Sequence, residues 1–197
     1  FRRRNNYGYK DASNRIGCLM LEHRNILLVG FMGSGKTTVG NLLAKHLQWS
    51  MVDTDDQIIS RIGKSIDSIF QEYGEEQFRT IERSVIADLC GKSQQVIASG
   101  GGAFADPANR SIMLASGKVF FLKASPEILL KRMREDKSIG AAVRPLLSED
   151  MSIANIANLL SERIESYSMA HYSVETDGHT TEEVVDMVLN QYAGDRS

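Results

Sequence analysis

The chain has 197 residues, 42% of them hydrophobic, which is enough for one domain with a sizeable core. Its net charge of −2, from 23 basic and 25 acidic residues, excludes a global attraction to nucleic acid or to an anionic membrane. No apolar run approaches the roughly 20 residues of a membrane span, and Cys18 and Cys90 lack metal-type spacing, so free thiols in a reducing compartment are expected. Residues 1–22, opening Phe1-Arg2-Arg3-Arg4, lack the apolar segment of a secretory signal. They are read as an extension or appended remnant, disordered and outside the fold, with a basic organelle-targeting remnant as the alternative. Residues 23–197 are then a single domain.

Asn25-Ile26-Leu27-Leu28-Val29 reads as a buried strand ending at Gly30. Gly30, Gly35, Lys36 and Thr37 fill the four fixed places of G-x-x-x-x-G-K-[ST], and Val39, Leu42, Leu43 and Leu47 continue as a helix. Met51-Val52-Asp53 is a second strand running into the cap-like cluster Thr54-Asp55-Asp56. Gln57 to Ile62 is helical and stops at Gly63. Ser65 caps a further helix, which Gly74 separates from a longer one with Phe78, Ile81, Val85 and Leu89 at helical spacing. Gln95 to Ser99 is a third strand, halted by Gly100-Gly101-Gly102. Asp106-Pro107 opens a helix reaching Gly117, Lys118 to Leu122 is the fourth strand, and Pro126 starts another helix. Its basic tail, Lys131-Arg132-Met133-Arg134, leads into a segment from Asp136 to Val143 expected to be mobile. Ile153, Ile156, Leu160, Ile164 and Tyr167 mark one long helix. Tyr172 to Thr176 is the last strand and Thr180 to Tyr192 a closing amphipathic helix. Strands alternating with helices predict an α/β fold: three α/β/α layers on a five-stranded parallel sheet.

Such sheets bind ligands at the carboxyl ends of their strands. That gathers Gly30 to Thr37, Asp53 to Asp55 and Gly100 to Gly102 onto one edge. In the first stretch, glycines let successive N–H groups point at a phosphate, with Gly33, Ser34, Gly35 and Thr38 around it. Lys36 suits the β- and γ-phosphates and the Thr37 hydroxyl suits Mg²⁺. Asp53 and Asp55 alone would pass for a helix cap with surface acids. Beside a phosphate loop, one can order the metal's water shell and the other can draw a proton from an acceptor hydroxyl. The third strand end lacks the Asp that many such enzymes place there for Mg²⁺, which leaves Asp53 as its replacement. The triple glycine offers bare N–H groups to a small ligand, although a plain turn would also accommodate it. Arg79 and Arg163 adjoin the core residues Phe78 and Ile164, while Pro145 biases Arg144 to an extended conformation. Singly, each could be a solvated charge or a partner for Glu82 or Glu162. Together they suit an anionic acceptor plus a charge-neutralising finger.

Taken in order, Gly30-Phe31-Met32-Gly33-Ser34-Gly35-Lys36-Thr37, Asp53-Thr54-Asp55, Phe78-Arg79-x-x-Glu82, Gly100-Gly101-Gly102, Arg144-Pro145-Leu146-Leu147 and Arg163-x-x-x-Tyr167 resemble the motif set of shikimate kinases. The resemblance runs from about Asn25 to Tyr192. It implies a P-loop NTPase fold of the nucleoside-monophosphate-kinase type, with a small lid at about residues 136–147. It implies ATP and Mg²⁺, and transfer of the γ-phosphoryl group to the 3-hydroxyl of shikimate. By position, Asp55, Arg79, Arg163 and the Gly100–Gly102 strip would hold shikimate, with Lys36, Asp55 and Arg144 catalytic. Thr37 and Asp53 would serve the metal; Arg132 would stack on adenine, with Thr176 in the loop beneath it. A monomeric cytoplasmic enzyme of chorismate and aromatic amino acid biosynthesis follows, without nucleic-acid or membrane partners. Two features depart from the pattern. Family members often carry R-x-P-x-Y where this chain has Arg163-Ile164-Glu165-Ser166-Tyr167, and Ser138 to Ala142 makes the lid a little long. The alternatives are a gluconate or nucleoside-monophosphate kinase, against which the core-edge arginines and triple glycine argue, and a non-catalytic relative, against which the complete charged set argues.

Overall fold

The computed structural model describes residues 25–135 and 152–194. The expectations for residues 1–22, for the lid at 136–147 and for Arg144 lie outside the described residues. Five strands form one sheet: β1 (Asn25–Val29), β2 (Ser50–Asp53), β3 (Gln95–Ala98), β4 (Lys118–Lys123) and β5 (Tyr172–Glu175). Their order is β2-β3-β1-β4-β5 and every neighbouring pair is parallel. β1 and β3 are buried along their whole length, as strands covered on both faces must be. The chain fills one side of β1 and then crosses to the other. That order opens a crevice at the carboxyl ends of β1 and β3.

Successive residues of a strand point to opposite faces, and the core divides accordingly. Leu27, Val29, Ile97, Val119 and Phe121 face a layer built from α2 (Thr54–Ile62), α3 (Ile66–Cys90) and α4 (Pro107–Ser116). Ile26, Leu28, Val96, Phe120 and Leu122 face α1 (Lys36–Leu47) and α8 (Thr181–Gly194). A third cluster joins Phe31 to α5 (Pro126–Glu135) and α6 (Ile153–Ser161) through Leu129, Met133 and Ile156. Each fully buried side chain of this size contributes about 1.5–3 kcal/mol relative to exposure.

Helix boundaries follow local chemistry. Ser65 Oγ accepts from Ser68 N at 3.2 Å, and Asp106 Oδ1 accepts from Ala108 N and Asn109 N. Thr180 and Glu183 satisfy each other's backbone N–H at the start of α8, a reciprocal capping box. The cap of α2 is Asp53, not the Thr54-Asp55-Asp56 cluster, which forms the first helical turn; Asp53 Oδ1 accepts from Asp55 N at 3.0 Å. Gly74 breaks α3 in a left-handed conformation, φ +78°.

One element differs from expectation. The long helix marked by Ile153 to Tyr167 is two helices, α6 and α7 (Ile164–Tyr167), parted at Glu162 and Arg163. Arg163 N reaches back to Leu160 O, one residue short of the α-helical partner, which tightens the chain and re-aims it. Ile153 and Ile164 accordingly stay 44% and 40% exposed. Tyr167, by contrast, is buried and stacks on Phe121 with centroids 4.8 Å apart.

Between α4 and β4, a Cβ on Gly117 would stand 2.1 Å from Asn25 O and 2.7 Å from its carbonyl carbon. Backbone cannot yield as a side-chain tip can. Gly117→Ala is therefore expected to destabilise the protein by about 1–3 kcal/mol through overpacking. Thermal unfolding measures this, and an unchanged midpoint would show that β1 and β4 part there freely.

Candidate active site

The loop from Gly30 to Gly35 leaves β1 at the crevice. Its glycines are required individually. Gly30 (φ +144°) comes so close to β4 that a Cβ would meet Leu122 O at 2.6 Å. Gly33 (φ +78°) admits α5, since a Cβ would meet Met133 Cγ at 3.0 Å and Leu129 O at 3.3 Å. Gly35 (φ +93°) starts α1 without any side-chain cap, so the first-turn N–H groups and the helix dipole face the loop opening. Ser34 Oγ is buried with no hydrogen-bond partner among the described residues. This cradle suits a phosphate.

Lys36 Nζ donates to Gly30 O and Phe31 O, both at 2.9 Å, and so stands across the loop. Burial pushes its pKa down to about 8, although Asp53 and Asp55 pull upward; nearby Arg163 pushes down again. Thr37 Oγ1 donates to Asp53 Oδ2 at 3.0 Å, and the other oxygen of Asp53 caps α2. Both carboxylate oxygens are thereby fixed. Among the described residues no group of three or more His, Cys, Asp or Glu could hold a metal. The Thr37 and Asp53 oxygens fit a hard cation that draws its other ligands from water and phosphate, as Mg²⁺ does.

Asp55 lies in the first turn of α2, against the glycine strip. Burial raises its carboxyl to about 7, helped by the charges of Asp53 and Glu82 and opposed by Lys36. A carboxyl so placed can take a proton near neutral pH.

The strip after β3 proves to be three separate clearances. A Cβ on Gly100 would stand 2.5 Å from Asp55 Oδ1; on Gly101, 3.9 Å from an Arg163 guanidinium nitrogen; on Gly102, 3.3 Å from both terminal nitrogens of Arg79. Gly101 also lies against the phosphate loop, its Cβ position 3.5 Å from Met32 N. Gly100 N donates to Thr54 Oγ1 at 2.8 Å, holding the strip to α2. Arg163 donates to Gly101 O at 3.3 Å, alongside the Tyr167 hydroxyl, and its guanidinium lies 5.6 Å from the Phe31 ring centroid. Arg79 donates to Glu82 at 2.9 Å and to Glu75 at 3.3 Å. Burial raises the Glu82 carboxyl, with Arg79 pulling the other way. Asn109 Nδ2 reaches the same Glu82 oxygen at 3.5 Å. On the far side of the loop, Arg132 donates to both Thr176 Oγ1 and Thr176 O at 3.0 Å, and Asp177 Oδ2 accepts from Ser125 N at 3.0 Å.

The crevice thus sets a glycine loop that suits a phosphate, the paired Thr37 and Asp53 oxygens, a raised carboxyl and two guanidiniums side by side. A family model described as shikimate kinase matches residues 32–193. The chain belongs to the shikimate kinase family. It is 38% identical over 167 residues to the shikimate kinase of Caldicellulosiruptor saccharolyticus, covering 85% of this chain and 94% of that one. Against the Moorella thermoacetica shikimate kinase the identity is 44% over 154 residues, 78% and 86% of the two chains. Among solved structures, a shikimate kinase from Acinetobacter baumannii in complex with shikimate superposes with a TM-score of 0.83 at 34% identity, covering 92% of this chain and 98% of that chain. A gluconokinase from Sinorhizobium meliloti, at 17% identity and a TM-score of 0.59 over 87% and 92% of the two chains, shares the fold alone.

Within this shikimate kinase fold, Asp55, Arg79 and Arg163 come together on Gly100–Gly102 beside the Lys36 loop, while Arg132 and Thr176 pair with each other. Arg144 alone rests on its motif. Three contributors carried no signal of their own in the sequence: Phe31 under Arg163, Asn109 behind Glu82, and Glu75 on Arg79. Glu82 was foreseeable as one of two partners for an arginine; Glu162, the other, caps α6 instead.

Proposed function

We propose that the chain transfers the γ-phosphoryl group of ATP to the 3-hydroxyl of shikimate, with Mg²⁺. The observation carrying this reading is the glycine strip, where Asp55, Arg163 and Arg79 each rest against one of three consecutive glycines beside the Lys36 loop. Arg79 and Arg163 would grip the ring carboxylate, which pairs with a guanidinium fork. Asp55 would accept from the ring hydroxyls and take the proton of the attacking one as its oxygen bonds to phosphorus. Lys36 would neutralise charge on the transferring group as the bond to the ADP oxygen breaks. Thr37 and Asp53 would hold Mg²⁺, which when bound would supply positive charge against the phosphates. Arg132 would lie against the base, its fork set by Thr176, and Arg144 would add a second positive charge. Catalysis then comes from positioning and charge neutralisation. We place the activity in the cytoplasm.

The decisive assay is ADP release with shikimate, with and without Mg²⁺, beside gluconate and a nucleoside monophosphate. Release with gluconate alone would overturn the assignment. Arg79→Ala and Arg163→Ala are each expected to raise the KM for shikimate about 10- to 100-fold, since a hydrogen bond to a charged group contributes about 1.5–3 kcal/mol. Turnover at saturation and the KM for ATP should change much less. Equal losses in both KM values would mean that the arginines serve the loop instead.

A further inference from the structure

Arg79 sits between two carboxylates on one face of α3, Glu75 one turn before it and Glu82 one turn after. The two are not equivalent. The Glu82 side chain is 2% exposed, so releasing it would leave a carboxylate shut away from water with only the long Asn109 contact. The Glu75 side chain is 69% exposed, and its pairing with Arg79 can be exchanged for solvent at small cost. The break at Gly74 puts Glu75 at the first position of the second half of the helix, where its chain lies alongside the guanidinium. Gly102 lets the guanidinium pack close against the strip, with both terminal nitrogens 3.3 Å from where a Cβ would be.

Resting on the proposed function, we infer that Glu75 is an affinity- and specificity-determining residue for the acceptor. Its carboxylate holds one arm of Arg79, and the carboxylate of the incoming acceptor takes that arm over. Glu82 stays in place throughout and keeps the fork oriented. Glu75 therefore competes only with acceptors that carry a negative charge. It sets a cost that shikimate meets and that a neutral ring alcohol does not encounter. A second consequence is electrostatic: an exposed competitor is screened by salt, whereas a buried strut is not.

The test is calorimetric titration of wild type, Glu75→Gln and Glu75→Ala with shikimate and with its uncharged methyl ester. Both substitutions fall on an exposed side chain, so the folded protein is available for measurement. The expected result is a two- to fivefold tighter Kd for shikimate in both variants, an unchanged Kd for the ester, an unchanged KM for ATP, and a gain that shrinks in 1 M salt. A shikimate Kd that is unchanged or weaker would overturn the inference, and weaker binding would mark Glu75 as a positioning residue for Arg79. If no protein binds shikimate, wild type included, the acceptor assignment fails and this inference with it.

Discussion

Replacing Asp55 by Asn is expected to lower turnover about 10²- to 10⁴-fold, the usual contribution of a positioned general base, while raising the melting temperature of the ligand-free protein. Both outcomes come from the same burial. The Asp55 carboxyl is raised from 3.8 to about 7 in the folded protein, chiefly by desolvation and then by the charge of Asp53. Folding therefore takes up a proton between those two pH values, and stability falls as pH rises through that window. Above about pH 7 the charged carboxylate costs the fold its full amount, on the order of a few kcal/mol at 1.36 kcal/mol per pH unit. Asn keeps the shape without the charge. At pH 8 the variant should melt several degrees higher, since 1 kcal/mol corresponds to about 2–4 °C for a chain of this size. The advantage should shrink towards pH 4, the lower end of that window, where the folded-state carboxyl is protonated. Melting curves of the two proteins at pH 8 and pH 5 decide this. A gain that does not vary with pH would assign the effect to packing instead of charge.

Lys36→Met is expected to lower turnover by about 10²- to 10³-fold or more, the loss seen when a preorganised donor to a developing charge is removed. The loop should survive the loss of the Lys36 hydrogen bonds, because Gly30 packs against β4 and Gly33 against α5. Shikimate binding should change little. The wild-type protein reports the same charge through pH. Burial lowers Lys36 to about 8, so the ammonium form prevails below that value and is lost above it. Asp55 must be deprotonated and is so only above about 7. The profile of kcat/KM for ATP, which reports the free enzyme, should therefore rise through about pH 7 and fall through about pH 8. A profile flat to pH 10 would mean that the Lys36 charge is not needed.

Much of this site is legible in the sequence because its parts are set by local chemistry. Strand ends followed by Gly30, Asp53 and Gly100 locate the crevice once the sheet is parallel, and Ser65, Asp106 and Gly63 mark helix ends by their own backbone preferences. The break at Glu162 and Arg163 is different in kind. Ile153, Ile156, Leu160, Ile164 and Tyr167 keep helical spacing straight across it, so periodicity cannot detect it. What breaks the helix is tertiary: Tyr167 must reach both Phe121 and the Gly101 carbonyl. The same holds for Asn109 and Phe31, whose roles depend on α4 and the loop arriving beside α3 and Arg163. The triple glycine lies between these cases. Its openness is plain from composition, but the assignment of one glycine to each of three side chains requires the neighbours in place.

Each oxygen of Asp53 already has one partner, the Thr37 hydroxyl on one side and the amide of Asp55 on the other, and each can accept once more. The residue is a yoke between the two halves of the crevice. A divalent ion held by Asp53 would therefore sit on the cap of the helix that carries Asp55. Under the proposed function, ion choice and acceptor fit would meet at this one residue.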